Sequence, residues 1–127
     1  MNIVVTIGLI ALAFIHLLPA IGVLGAERLY TLYGVEFDDQ NSILLMRHRA
    51  ALFAILGAFT LYAAFRPDWQ WTALLMVGVS TLSFIILALP SQYYNERITN
   101  VLFVDIIAVV ILLVVIAARL VRQYGLN

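Results

Sequence analysis

The chain has 127 residues, of which 65% are hydrophobic and 11% charged, with a mean hydropathy of +1.06. Soluble domains are nearer half apolar and a quarter charged, so a soluble monomer and a disordered chain are both excluded. Seven Arg and no Lys balance seven acids, which leaves no basic footprint for nucleic acid, and the absence of Cys excludes disulfides, thiolate catalysis and Cys-ligated clusters.

A helix crossing about 30 Å of hydrocarbon needs roughly 20 mostly apolar residues. No charged side chain precedes Glu27, so a first span is predicted over about residues 2–25. A cleaved signal peptide would start with basic residues, and only the terminal amine is positive here, so the expectation is a retained helix. Residues 26–42 carry Glu27, Arg28, Glu36, Asp38 and Asp39, with Leu29, Leu32, Tyr33 and Phe37 at helical spacing. A short interfacial helix ending before Gly34 and a solvated loop both fit that pattern.

The second span is expected over about 43–65. Its charge-free run, Ala50 to Phe65, is too short to cross. The helix must therefore reach back to about Met46 and take in Arg47, His48 and Arg49, with Asn41 or Ser42 as N-cap. Arg66 and Pro67 close it. A third span follows over about 71–89, ended by Pro90. Trp69 and Trp71 lie at one edge and Tyr93 and Tyr94 past the other, as rings at a membrane interface do. The fourth span, about 98–118, puts Asp105 inside the membrane and anchors its end with Arg119 and Arg122.

Short connections at 66–70 and 90–97 make consecutive spans antiparallel. The expected fold is all-α: an integral membrane, up-down-up-down four-helix bundle forming a single transmembrane domain. Both termini then share one side with Arg66, Arg119 and Arg122. The other side holds Arg28 and Arg97, with Arg47 and Arg49 at its membrane edge. If those two belong to the bundle, the positive-inside rule places the termini in the cytoplasm, here of a bacterial inner membrane.

At 1.5 Å per residue, all four spans place polar groups at a similar depth, roughly 5–14 Å below the side of the first and third loops. They are His16, Arg47 and His48, Ser83 with Ser80 and Thr81 deeper, and Asp105. An Asp in hydrocarbon is costly, about 2.5–3.5 kcal/mol at a helix centre, so it normally pairs or lines a wet cavity. The expected partner of Asp105 is Arg47, in a structural ion pair. Arg47 shares a helix face with Ala50, Ala51, Ala54, Gly57 and Ala58, and small residues let backbones approach, so that face should look inward. Arg49 lies with Phe53, Leu56 and Thr60 and is expected to snorkel to the interface.

Each polar residue also has an ordinary explanation. His16 could bond a neighbouring helix, and His48 could be interfacial. Ser80, Thr81 and Ser83 could bond carbonyls of their own helix. Tyr30, Tyr33, Tyr93 and Tyr94 could be belt residues. The shared depth is the functional signal. It suits a site for membrane lipid or another amphipathic ligand, made from His16, Arg47, His48, Ser83, Asp105, Tyr93 and Tyr94. A scaffold role in a membrane complex, with a homo-oligomer, is the companion expectation.

The alternative is a membrane enzyme of isomerase or hydrolase type using His16, His48 and Asp105 as acid–base groups. Two further readings rank lower. Two histidines could clamp a b-type haem if their depths matched, and Asp with His is a common proton-relay composition. No phosphate-cradling Gly-rich loop and no HExxH motif occurs, and two histidines are too few for a structural zinc site. No cofactor or metal is expected.

The segment FIHLLPAIGVLGAERLYTLYGVEFDD, then LLMRHRAALFAILGAF, then VDIIAV around Asp105, resembles a family of small bacterial four-span membrane proteins, distantly similar to the DoxX type. The resemblance covers nearly the whole chain. It implies a fold and no reaction. Members of such families often carry the name phosphopantetheine adenylyltransferase. That soluble α/β enzyme needs a [TH]xGH motif, and here neither His16 nor His48 follows a Gly.

Overall fold

Asn2 starts the first helix, its side-chain oxygen accepting from the Val4 N–H at 3.0 Å. This helix, α1 (Ile3–Leu17), stops near Pro19, which has no N–H to donate, and the chain continues as a 3-10 helix over Leu18–Leu24. The computed structural model describes residues 1–91 and 93–125. The remaining elements are α2 (Ala26–Tyr33), α3 (Gln40–Ala64), a 3-10 turn over Pro67–Trp69, α4 (Gln70–Ala88) and α5 (Glu96–Tyr124). No strand occurs among the described residues. Four segments are long and apolar enough to cross a membrane: Ile3–Leu24, Gln40–Ala64, Pro67–Ala88 and Glu96–Tyr124. The chain is a membrane protein of the all-α class.

Of the two readings of residues 26–42, the structure contains the helix. α2 buries Leu29 and Tyr33 and ends at Gly34, whose φ of 65° is the left-handed C-cap conformation that glycine adopts without a Cβ clash. The start of α3 differs from expectation. Its cap is Asp39 rather than Asn41 or Ser42, and the Asp39 carboxylate accepts from the Ser42 N–H and hydroxyl, each at 3.1 Å. An ionised cap is stronger than a neutral one, so the helix extends outward into polar residues. α5 likewise begins earlier, at Glu96 behind an Asn95 cap, and runs on to Tyr124.

Each long helix packs on its neighbours in chain order, and α5 closes the ring onto α1. Lipid is as apolar as leucine, so this packing depends on close fit rather than on escape from water. Gly57 shows how close: a Cβ there would lie 2.6 Å from Leu17 Cγ and 3.1 Å from the Ala13 carbonyl. At the end nearest the termini the centre is filled by Val5, Leu9 and Leu12 of α1, Ala63 and Ala64 of α3, Leu74 and Val77 of α4, and Ala108, Leu112 and Val115 of α5. A polar clasp covers this end. Arg119 donates to Gln70 Oε1 at 2.7 Å and to the Pro67 carbonyl at 3.0 Å, with its guanidinium 5.4 Å from the Trp71 ring.

Candidate functional site

Toward the opposite end the same inward stripes stop filling the centre. They line a half-open cavity of about 600 Å³. The change follows from residue type: the inward positions turn from Ala, Val and Leu to His16, Arg49, Ser80 and Asp105, with Ser83 at the exposed edge of the lining. Polar tips of different lengths do not interdigitate as methyl groups do. Apolar walls come from Leu52, Phe53 and Leu56 of α3, Phe84 and Leu87 of α4, and Val101 and Val104 of α5.

α2 contributes Thr31, Leu32 and Tyr33 to the lining, and three side chains hold it in place. Arg97 donates to the Thr31 carbonyl. Asn95 Nδ2 donates to the carbonyls of Tyr33 at 2.8 Å and Gly34 at 3.2 Å. These meet carbonyls that the last turn of a helix leaves open. Arg49 Nη1 donates to the Tyr33 hydroxyl at 2.8 Å. Its guanidinium lies 5.3 Å from the Tyr33 ring centre and 4.9 Å from that of Phe53, both within cation–π range.

His16 is 2% exposed, and its Nδ1 lies 2.9 Å from the Leu12 carbonyl. A carbonyl only accepts, so Nδ1 carries the proton, and Nε2 of the neutral ring is an acceptor. The ring sits 6.0 Å from Phe53, tilted by 40°. Asp105 is partly buried on the same lining as Arg49 and Arg97.

The structure thus brings together His16, Ser83 and Asp105, with Ser80 beside them. Ser83 Oγ donates to the Ser80 carbonyl at 2.9 Å, and the hydroxyl of buried Thr81 to the Val77 carbonyl at 2.9 Å, as serines and threonines within helices commonly do.

The expected pairing of Arg47 with Asp105 is not present. Arg47 is exposed, and its Nε donates to the Val23 carbonyl at 2.8 Å. The 3-10 segment after Pro19 is the cause: it ends at Leu24, and the Val23 oxygen is left to accept from a side chain. The small-residue face of α3 does turn inward at Ala50 and Gly57, but it meets α1 and the 3-10 segment too closely to leave space for Arg47.

Arg49, expected at the interface, takes the cavity position. His48 is exposed and does not share the cavity with His16. Tyr93, 94% exposed, and Tyr94 lie in the connection between α4 and α5 and do not line the cavity either. Arg49, Tyr33, Asn95 and Arg97 are the residues that depth alone does not single out. Among them only Arg49 carries a sequence signal, its shared face with Phe53 and Leu56.

No protein-family model, curated protein sequence or solved structure matches this chain. What the site does is therefore argued from its own chemistry.

Proposed function

We propose that this protein binds one lipid-soluble, amphipathic molecule in the cavity, with the molecule's polar head among His16, Arg49, Ser83 and Asp105. The observation that carries this reading is the cavity itself, about 600 Å³ with mostly apolar walls and a few polar groups. Small-molecule sites have that size and that balance. A closed structural ion pair would instead have filled the space. The ligand is expected to enter from the leaflet on the side of α2, since the other half of the bundle is packed.

The test is native mass spectrometry of the protein extracted gently from its own membrane. A retained mass is expected in the wild type and in Leu44→Trp, which alters an exposed position outside the cavity. The same mass should be lost from Ser83→Trp, whose indole would occupy the space. Retention in Ser83→Trp, or no retained mass in any sample, defeats the reading.

A second reading is favoured by one observation: His16 with an acceptor Nε2 and Asp105 line the same cavity. These are acid–base residue types, and a membrane enzyme acting on the bound molecule would use them. Turnover of the retained molecule that is lost in His16→Phe with the fold intact would select this reading over simple binding. We further propose a bacterial inner membrane with cytoplasmic termini; Arg66, Arg119 and Arg122 lie on that side, against Arg28, Arg97 and the exposed Arg47 on the other. Because the sequence contains no Cys, a single Cys placed at Glu36 or at Gln123 reports the orientation by labelling with a membrane-impermeant maleimide.

A further inference from the structure

Two arginines line the cavity, and both are fastened to the same short helix. Arg49 Nη1 donates to the Tyr33 hydroxyl, and Arg97 Nη1 donates to the Thr31 carbonyl, two residues earlier on α2. Each bond uses one N–H of a guanidinium that carries several. The other N–H groups of both arginines make no hydrogen bond among the described residues. Those of half-buried Arg49 are not shut off either: the buried side-chain nitrogen without a partner is Arg119 Nε, at the far end of the bundle.

The partners that hold these arginines are all neutral. A hydroxyl, a carbonyl and the rings of Tyr33 and Phe53 fix the guanidiniums in place without cancelling their charge. Asp105 is the one acidic residue on the lining. Two positive groups thus share the space with one negative group, and a single positive charge is left unmatched. Ser80 and Asn100 add a hydroxyl and an amide to the same lining, and neither side chain makes a hydrogen bond among the described residues. Charge held away from water is costly without a counter-charge. The planar fork of an arginine matches the paired oxygens of a carboxylate or a phosphate.

We infer that the occupant is an amphiphile with a singly charged anionic head, a carboxylate or a phosphate ester, whose oxygens accept from Arg49 and Arg97 while its hydrocarbon lies along Leu52, Leu56 and Leu87. Asp105 limits the head to one negative charge, because a second would have no cation to match it. This rests on the binding reading above and goes further by naming the ligand class and the contacts that select it.

The test uses the full chain in a neutral detergent and four probes with the same hydrocarbon chain: dodecanoate, dodecanoyl lysophosphatidylglycerol, 1-dodecanol and dodecylamine. At about pH 8 the carboxylate is ionised and the amine protonated. Native mass spectrometry reads the bound fraction during titration. An anionic probe is expected to bind one per chain, at least about tenfold more tightly than 1-dodecanol, the effect of a charge-assisted hydrogen bond. Dodecylamine should bind most weakly. The tighter of the two anionic probes tells a free fatty acid from a phospholipid head group.

Two variants should move this preference in opposite directions. Arg97→Gln should narrow the gap between the anionic probes and 1-dodecanol by about tenfold, and Asp105→Asn should widen it. In both, 1-dodecanol should bind as in the wild type, whereas a merely structural defect would weaken every probe together. If either variant does not fold, the wild-type comparison decides alone.

Binding of 1-dodecanol as tight as that of both anionic probes, tighter binding of dodecylamine, or an anion preference unchanged in both variants overturns the inference and leaves the binding reading standing. Binding of none of the four also overturns it. The binding reading then stands or falls on the mass retained from the native membrane and its loss in Ser83→Trp.

Discussion

Arg49 and Tyr33 join two elements that the chain separates by a polar loop: the α3 guanidinium donates to the α2 hydroxyl at 2.8 Å and lies 5.3 Å from the ring centre. This contact holds the short helix over the cavity. Arg49→Met removes a charge-assisted hydrogen bond and two cation–π contacts, and is expected to destabilise the protein by about 2–3 kcal/mol in detergent denaturation. Tyr33→Phe removes only the hydroxyl and should cost about 1 kcal/mol. Arg47→Met should cost less than either and leave the retained ligand unchanged. The reverse order would place Arg47, not Arg49, in the site.

The close approach of α1 and α3 depends on Gly57. Leu17 can swing away from an added methyl group, but the Ala13 carbonyl at 3.1 Å is backbone and cannot. Gly57→Ala is expected to destabilise by about 1–3 kcal/mol. Leu17→Ala should recover part of that loss in a double-mutant cycle, since the two changes share one contact. Strict additivity would show that the helices are not packed at this point.

At the far end, Gln70 is 3% exposed and receives Arg119. Gln70→Leu leaves that guanidinium short of an acceptor and should cost about 1–3 kcal/mol. Binding of cavity probes, measured in the same preparation, should not change, because the filled core lies between the clasp and the cavity. A parallel loss of binding would mean that the two ends do not act independently.

Acid should loosen the start of α3. Asp39 lies outside the spans, and the Ser42 backbone N–H, then the Asn41 N–H, hold its carboxyl below its ordinary value of 3.8. A group lowered in the folded state contributes stability that is fully present above the unfolded value. That contribution is lost as pH falls through the lower folded value. Amide protection at Ser42 should therefore decline only below about pH 4. Asp39→Asn should retain a cap without this pH dependence, and Asp39→Ala should lose protection throughout. Wild-type protection that is constant down to pH 2 would contradict the cap.

The four spans are legible as long apolar runs because a bilayer demands length, and length is visible without knowing any contact. Their ends are less so. Whether Asp39, Asn41 or Ser42 caps α3 depends on which side chain reaches the open N–H groups, and all three are cap-forming types. The depth argument reaches His16, Ser83 and Asp105 because height along a helix follows from residue number. Direction around the helix does not follow in the same way. Arg47 and Arg49 are two residues apart, about 200° around the axis. Both of their faces turn toward other helices: one meets α1, and the other meets the cavity. What separates them is the Val23 carbonyl, left open by a 3-10 segment that Pro19 imposes. Tyr93 and Tyr94 have the composition of belt residues but are exposed and lie outside the cavity lining.

The bundle is filled at one end and hollow at the other, and this makes its two halves mechanically unlike. Hydrostatic pressure acts on internal void volume, which unfolding eliminates. Compression would therefore fall mainly on the half beneath α2. The segments around His16 and Asp105 would yield there, while the packed Leu9–Leu112 half would yield less. An occupant of the cavity would act as an internal strut, and its departure would leave one leaflet's share of the protein softer than the other.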